Sequence, residues 1–192
     1  MTEMLVGTEW LGGMERAGNG FKYCGSLTRR CSEEERARWK QIGHLLCREF
    51  GLGGLFGVDA VLCEDSATPV VTPIEVNPRY TASMELFESD SYSVVRRHVQ
   101  ACSRRRIAMI PSAGETIRAK CILYATETIK FLENYKHLLQ PSIDLADIPQ
   151  PQTIEAGHPI LTMLAESKSR EELIASLKIA SERIRHELAR DK

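Results

Sequence analysis

The chain has 192 residues, 43% of them apolar and 27% charged, which suits one substantial core or one domain with a small appended lobe. A formal charge of −1 gives no general drive toward nucleic acid or an anionic membrane, and no apolar run approaches the roughly 18 residues of a membrane helix. Six cysteines show no CxxC pair and the five histidines are not at ligand spacing to them, which argues against zinc. With Glu3 and Glu9 where a leader would be basic, the expected setting is cytoplasmic and the thiols are expected free and mostly buried.

In chain order, the glycine-rich first 31 residues read as short strands joined by turns, with Phe21-Lys22-Tyr23-Cys24 the clearest strand. Ser32 and Glu35 have capping-box spacing. Trp39, Ile42, Leu46 and Phe50 recur at helical spacing and Gly51 supplies a stop, so a helix over about 33–50 with a core-facing stripe is predicted. Residues 55–62 and 70–76 read as two strands, and the polar, turn-like 64–69 between them makes an antiparallel hairpin the economical reading. If the hairpin is symmetric about Ala67, Asp59 lies opposite Glu75. Pro73 cannot donate to a ladder and requires an edge or a bulge there.

Thr81 to about Glu88 could open a helix, and a further helix is predicted from Tyr92 to Cys102, with Val94, Val95, His98, Val99 and Cys102 inside. Residues 103–118 turn basic and are punctuated by proline and glycine, a candidate domain boundary. Strands follow at Cys121–Ala125 and Pro159–Leu164, separated by a proline-punctuated region expected to be extended and poor in sheet. Ser169 and Glu172 cap a last helix over about 170–190, striped by Leu173, Leu177, Ala180, Ile184 and Leu188.

The chemistry concentrates in Ile74-Glu75-Val76-Asn77-Pro78-Arg79. Read as one strand, it sets Glu75, Asn77 and Arg79 on one face. Glu75 and Asn77 alone are ordinary polar residues of a wet strand face. That reading leaves Asp59, Arg79 and the adjacent proline unexplained. Two carboxylates and an amide oxygen on one surface suit a hard cation such as Mg²⁺, and a cation relieves the repulsion between the acids. Beside such a site Arg79 suits a phosphate, which its planar fork binds in pairs. The basic runs Arg96-Arg97-His98 and Arg104-Arg105-Arg106 lack interleaved aromatics and read as solvated helix ends, not as a nucleic-acid surface.

Gly57-Val58-Asp59 followed by Ile74-Glu75-Val76-Asn77-Pro78-Arg79-Tyr80-Thr81-Ala82-Ser83 resembles the metal-binding end of the ATP-grasp superfamily, and in particular the predicted carboligases similar to biotin carboxylase. Phe21–Ser26 also resembles a segment preceding that family's last large helix, and Ala119–Ala125 and Ala156–Thr162 resemble the small C-terminal lobe of biotin-carboxylase-like members. The resemblance implies an α+β fold: the C-terminal part of an ATP-grasp domain (antiparallel sheet with packed helices) over residues 1–103, then a small biotin-carboxylase-like lobe over 104–192. It implies Asp59, Glu75 and Asn77 as ligands of Mg²⁺ (or Mn²⁺) that bridges ATP phosphates, and Arg79 as the catalytic residue facing the phosphate or acyl phosphate. The implied partners are ATP and a small carboxylate or bicarbonate, without nucleic acid or membrane. In complete members, the substrate domain and the phosphate- and adenine-binding lobe would precede Met1. The expectation is therefore a C-terminal half, complemented by a second chain or by coding sequence upstream.

Overall fold

The computed structural model describes residues 1–14, 22–63, 70–89, 92–104, 115–131 and 142–190. They form an α+β fold in which every strand pairing is antiparallel. The chain divides into two compact units, one of Met1 with Arg30–Ser112 and one of Thr2–Arg29 with Ala113–Lys192. This differs from the continuous first domain expected over 1–103. The strand at Tyr23–Thr28 pairs across a long sequence separation with the one at Ile117–Tyr124, and nothing local in the sequence encodes such pairing.

In the unit that joins the two ends of the chain, β1 (Thr2–Val6), β2 (Tyr23–Thr28), β5 (Ile117–Tyr124), β9 (Pro159–Ser167) and β7 (Ile143–Ala146) form one sheet in the order β1-β2-β5-β9-β7. A small second sheet pairs β6 (Ile129–Phe131) with β8 (Gln152–Ile154). The region expected to be poor in sheet thus contains β7 and β8. Pro149 and Pro151 lie between these two short strands and do not interrupt their ladders. The helix α3 (Arg170–Arg190) opens where Ser169 Oγ accepts the Glu172 N–H at 3.3 Å. Leu173, Leu177, Ala180, Ile184 and Leu188 are all buried along it, as the 3.6-residue period predicts. They share one hydrophobic cluster with Leu27 on β2, Cys121 and Leu123 on β5, and Leu161 and Met163 on β9, against which Trp10 also packs. Arg185 sits at the margin of this core, where burial lowers its pKa. Its guanidinium donates to the carbonyls of Trp10 at 3.2 Å and Tyr124 at 3.0 Å.

The unit of Arg30–Ser112 holds α1 (Glu33–Phe50), the hairpin β3 (Gly57–Cys63) and β4 (Val70–Asn77), a 3-10 helix at Ala82–Phe87, and α2 (Val94–Arg104). The limits of α1 follow from its caps: Ser32 Oγ accepts the Glu35 N–H at 3.1 Å and Gly51 closes the helix at φ 61°. Its apolar stripe is not core, however. Trp39, Ile42 and Leu46 are half-buried and Phe50 is 71% exposed. Periodicity reports that a helix is amphipathic, not what covers it. The segment after Thr81 is a 3-10 turn where an α-helix could have opened. On α2 the inner line runs through Val94, His98 and Ala101, while Val95 and Val99 face outward and Cys102, though exposed, turns its Sγ toward the Gly53 carbonyl at 3.8 Å. The expected inner set mixed these two neighbouring lines. Of the six cysteines, all free, Cys24 and Cys121 are buried, Cys31 and Cys47 half-buried, and Cys63 and Cys102 exposed. No helix is long and apolar enough to cross a membrane among the described residues.

Candidate metal centre

The hairpin sets the site. In the β3–β4 ladder Gly57 pairs with Asn77, Val58 with Val76 and Asp59 with Glu75, which is the opposition the symmetric reading anticipates. The register then shifts, Ala60 pairing with Pro73, so that Ile74 is an extra residue on β4. This bulge accommodates Pro73. It also decides where Glu75 points, since the outer register continued regularly would put Ile74 opposite Asp59 and turn Glu75 to the other face.

The two carboxylates thus stand side by side on one face, at a cross-strand spacing of roughly 4.5–5.5 Å between Cβ atoms. Asp59 is half-buried, Glu75 exposed and Asn77 buried. Asn77 Nδ2 donates to Asp59 Oδ2 at 3.2 Å, so the amide touches the acid across the ladder. Among the described residues neither Asp59 nor Glu75 has a basic partner. Like charges directly opposed cost stability, and a cation between them offsets that cost.

The donor set fits Mg²⁺ or Mn²⁺: two carboxylates and an amide supply hard oxygen ligands, and an octahedral ion would complete its shell with water or phosphate. The described residues hold no group of three or more His, Cys, Asp or Glu that could hold a metal ion, so this site offers two carboxylates and an amide and no more.

Arg79 departs from the sequence reading. β4 ends at Asn77, whose carbonyl accepts the Arg79 N–H at 2.8 Å, a tight three-residue turn about Pro78. Proline cannot donate to the ladder, and the chain leaves the strand there. Arg79 therefore lies beyond the strand face that carries Glu75 and Asn77. It is exposed, its Nη1 donates to the Tyr80 carbonyl at 3.3 Å, and it has no acidic partner among the described residues.

The segment after Arg79 is held by contacts that no sequence motif reveals. Burial, then the nearby Glu88 and Glu85, raise the Tyr80 hydroxyl to about 12, and Glu88 is its hydrogen-bond partner. The same Glu88 carboxylate accepts the Val94 N–H at 3.0 Å and the Val95 N–H at 3.2 Å, closing the exposed donors at the start of α2. Thr81 Oγ1 lies 3.2 Å from Ser83 Oγ, and the Thr81 side chain folds back over Gly57. Only Gly57, placed just before an isolated acid in a strand, was a local signal for this close approach.

A family model for the ATP-grasp domain matches residues 6–83. The match supports ATP-grasp superfamily membership for this segment, and the structure shares that superfamily's mix of helix and antiparallel sheet. The matched residues include Asp59, Glu75, Asn77 and Arg79 and end at Ser83, before α2 and all of β5 to β9. No curated protein matches the chain. Similarity to this domain points to ATP binding and ATP-dependent ligase-type function.

Proposed function

We propose that this chain supplies the metal- and phosphate-binding side of an ATP-grasp ligase site that activates a small carboxylate or bicarbonate. The reading rests on one observation. Asp59 and Glu75 oppose each other without a basic partner among the described residues, with Asn77 in contact, inside the segment that matches the ATP-grasp domain.

In this reading Asp59, Glu75 and Asn77 hold Mg²⁺, which when bound neutralises charge on the nucleotide phosphates. The substrate carboxylate oxygen attacks the γ-phosphorus as the bond to ADP breaks, giving an acyl phosphate. A nucleophile, commonly an amine, then attacks the acyl carbon and expels phosphate. Arg79, exposed and without an acidic partner among the described residues, offers its guanidinium fork to the transferred group. Its place after the Pro78 turn sets it apart from the metal-holding face, which suits a group that meets the far side of a phosphate. The C-terminal lobe, in the same reading, is a biotin-carboxylase-like appendage.

A second reading is a complementing subunit whose remaining lobe comes from another chain. It is favoured by the apolar side chains that the unit of Arg30–Ser112 leaves exposed, including Phe50 at 71% and Ile74 at 68%. Calorimetric titration with Mg·ATP tests both. Micromolar binding by the isolated chain, abolished in an Asp59→Ala, Glu75→Ala double variant, supports the ligase reading and sinks the complementing one. Binding unchanged in the double variant removes these residues from the nucleotide site.

A further inference from the structure

Gly57 is the one residue of the metal-facing hairpin whose lack of a side chain is used by its surroundings. It pairs with Asn77 across the ladder. A Cβ added there would stand 3.0 Å from Thr81 Cγ2, 3.5 Å from Thr81 Oγ1 and 3.8 Å from Asn77 Cβ. The first contact is too tight for an unmoved neighbour, and Thr81 is stiff at χ1 because it is branched at Cβ. Thr81 follows the turn in which Arg79 N–H bonds the Asn77 carbonyl, and its hydroxyl faces that of Ser83. The space above Gly57 is thus filled by a residue only four positions beyond Asn77, and the short connection between them is pinned at both ends.

We propose that the Gly57–Thr81 contact is a positioning device. The absent Cβ lets Thr81 close over β3, which fixes the Pro78 turn and so aims the Asn77 amide at the Asp59 carboxylate. Gly57 and Thr81 are positioning residues in this scheme, acting on the cation through Asn77. The proposal rests on the reading of Asp59, Glu75 and Asn77 as cation ligands.

Three variants of the full chain test it: Gly57→Ala, Thr81→Ser and the two combined. Thr81→Ser removes the methyl that the new Cβ would meet and keeps the hydroxyl that faces Ser83. Mn²⁺ affinity is read by calorimetry and the Asn77 side-chain amide by its NMR signals, with a thermal melt of each variant alongside. Gly57→Ala is expected to shift the Asn77 amide signals and weaken Mn²⁺ about ten-fold, the low end of what disturbing a ligand's support costs a metal site. The double variant is expected to recover both. Thr81→Ser alone gives up the methyl that packs over Gly57 and is expected to weaken Mn²⁺ by less than Gly57→Ala does.

Unchanged affinity and unchanged Asn77 signals in Gly57→Ala overturn the proposal, as does a double variant no better than Gly57→Ala. If Gly57→Ala fails to fold while the double variant folds and binds, the steric account stands. If neither folds, the proposal falls, because relieving the contact should restore the hairpin. Absence of Mn²⁺ binding in the parent chain instead overturns the cation reading. The Asn77 signals across the same variants then still decide whether the contact sets that amide.

Discussion

The Cys121 thiol makes the stability of the end-joining unit depend on alkaline pH. The residue is wholly buried on β5, paired in register with Met163 on β9, and within the field of Cys24. Burial first, and Cys24 second, push its pKa from 9.0 to about 12. The folded thiol stays protonated while the thiol of the unfolded chain ionises from pH 9.0 upward. Between those two values the unfolded state binds fewer protons, so stability is intact below pH 9.0 and falls as pH rises. One unit of pH costs about 1.4 kcal/mol, which puts the loss at about 1.4 kcal/mol by pH 10.

The assay is urea unfolding at intervals from pH 8 to 10 in a Trp39→Phe background. Of the two tryptophans this leaves Trp10, which packs against the same core as Cys121. Cys121→Ala is the control: it lowers the whole curve by leaving a small cavity, but takes the thiol's share out of the alkaline fall. The parent should lose about 1.4 kcal/mol more than the control over this range. Parallel curves would refute the reasoning, since they would mean that the buried thiol ionises as readily folded as unfolded.

Leu177→Ala, at a fully buried position of α3, is expected to cost about 3 kcal/mol in the same Trp10 assay. Ser32→Ala removes the hydroxyl that accepts the Glu35 N–H and should cost about 1 kcal/mol, seen as faster amide exchange through the first turn of α1. Glu88→Ala frees the Val94 and Val95 amides, and their exchange protection should fall by the equivalent of about 1 kcal/mol while the last turn of α2 is unaffected.

The parts of this fold that were legible in the sequence are those specified locally. Ser32 with Glu35, Gly51, and Ser169 with Glu172 fixed the helix ends because a cap joins residues three apart. The Asp59–Glu75 opposition was legible because a hairpin's register is carried by its turn and by the placing of its acids, and Pro73 announced the bulge. The sheet order was not legible: β2 pairs with β5 across some ninety residues, and short alternating strands do not name their partners. Arg79 was misplaced because alternation was carried through Pro78, where the backbone turns. Tyr80 and Thr81 lie in the block that resembles the ATP-grasp superfamily, but the block does not tell what they touch, and Glu88 carried no motif. Glu88 serves α2 from six residues before Val94, outside any capping spacing, and Thr81 matters only because Gly57 lies beneath it.

That Asp59, Glu75 and Asn77 hold one divalent cation is tested most directly by Mn²⁺ titration followed through paramagnetic broadening of assigned backbone amides. The first signals lost should be those of Asp59, Glu75 and Asn77 with their ladder neighbours Gly57 and Val58, and Glu75→Gln should suppress the loss. Broadening centred elsewhere, or undiminished in Glu75→Gln, would contradict the assignment of these residues to the cation.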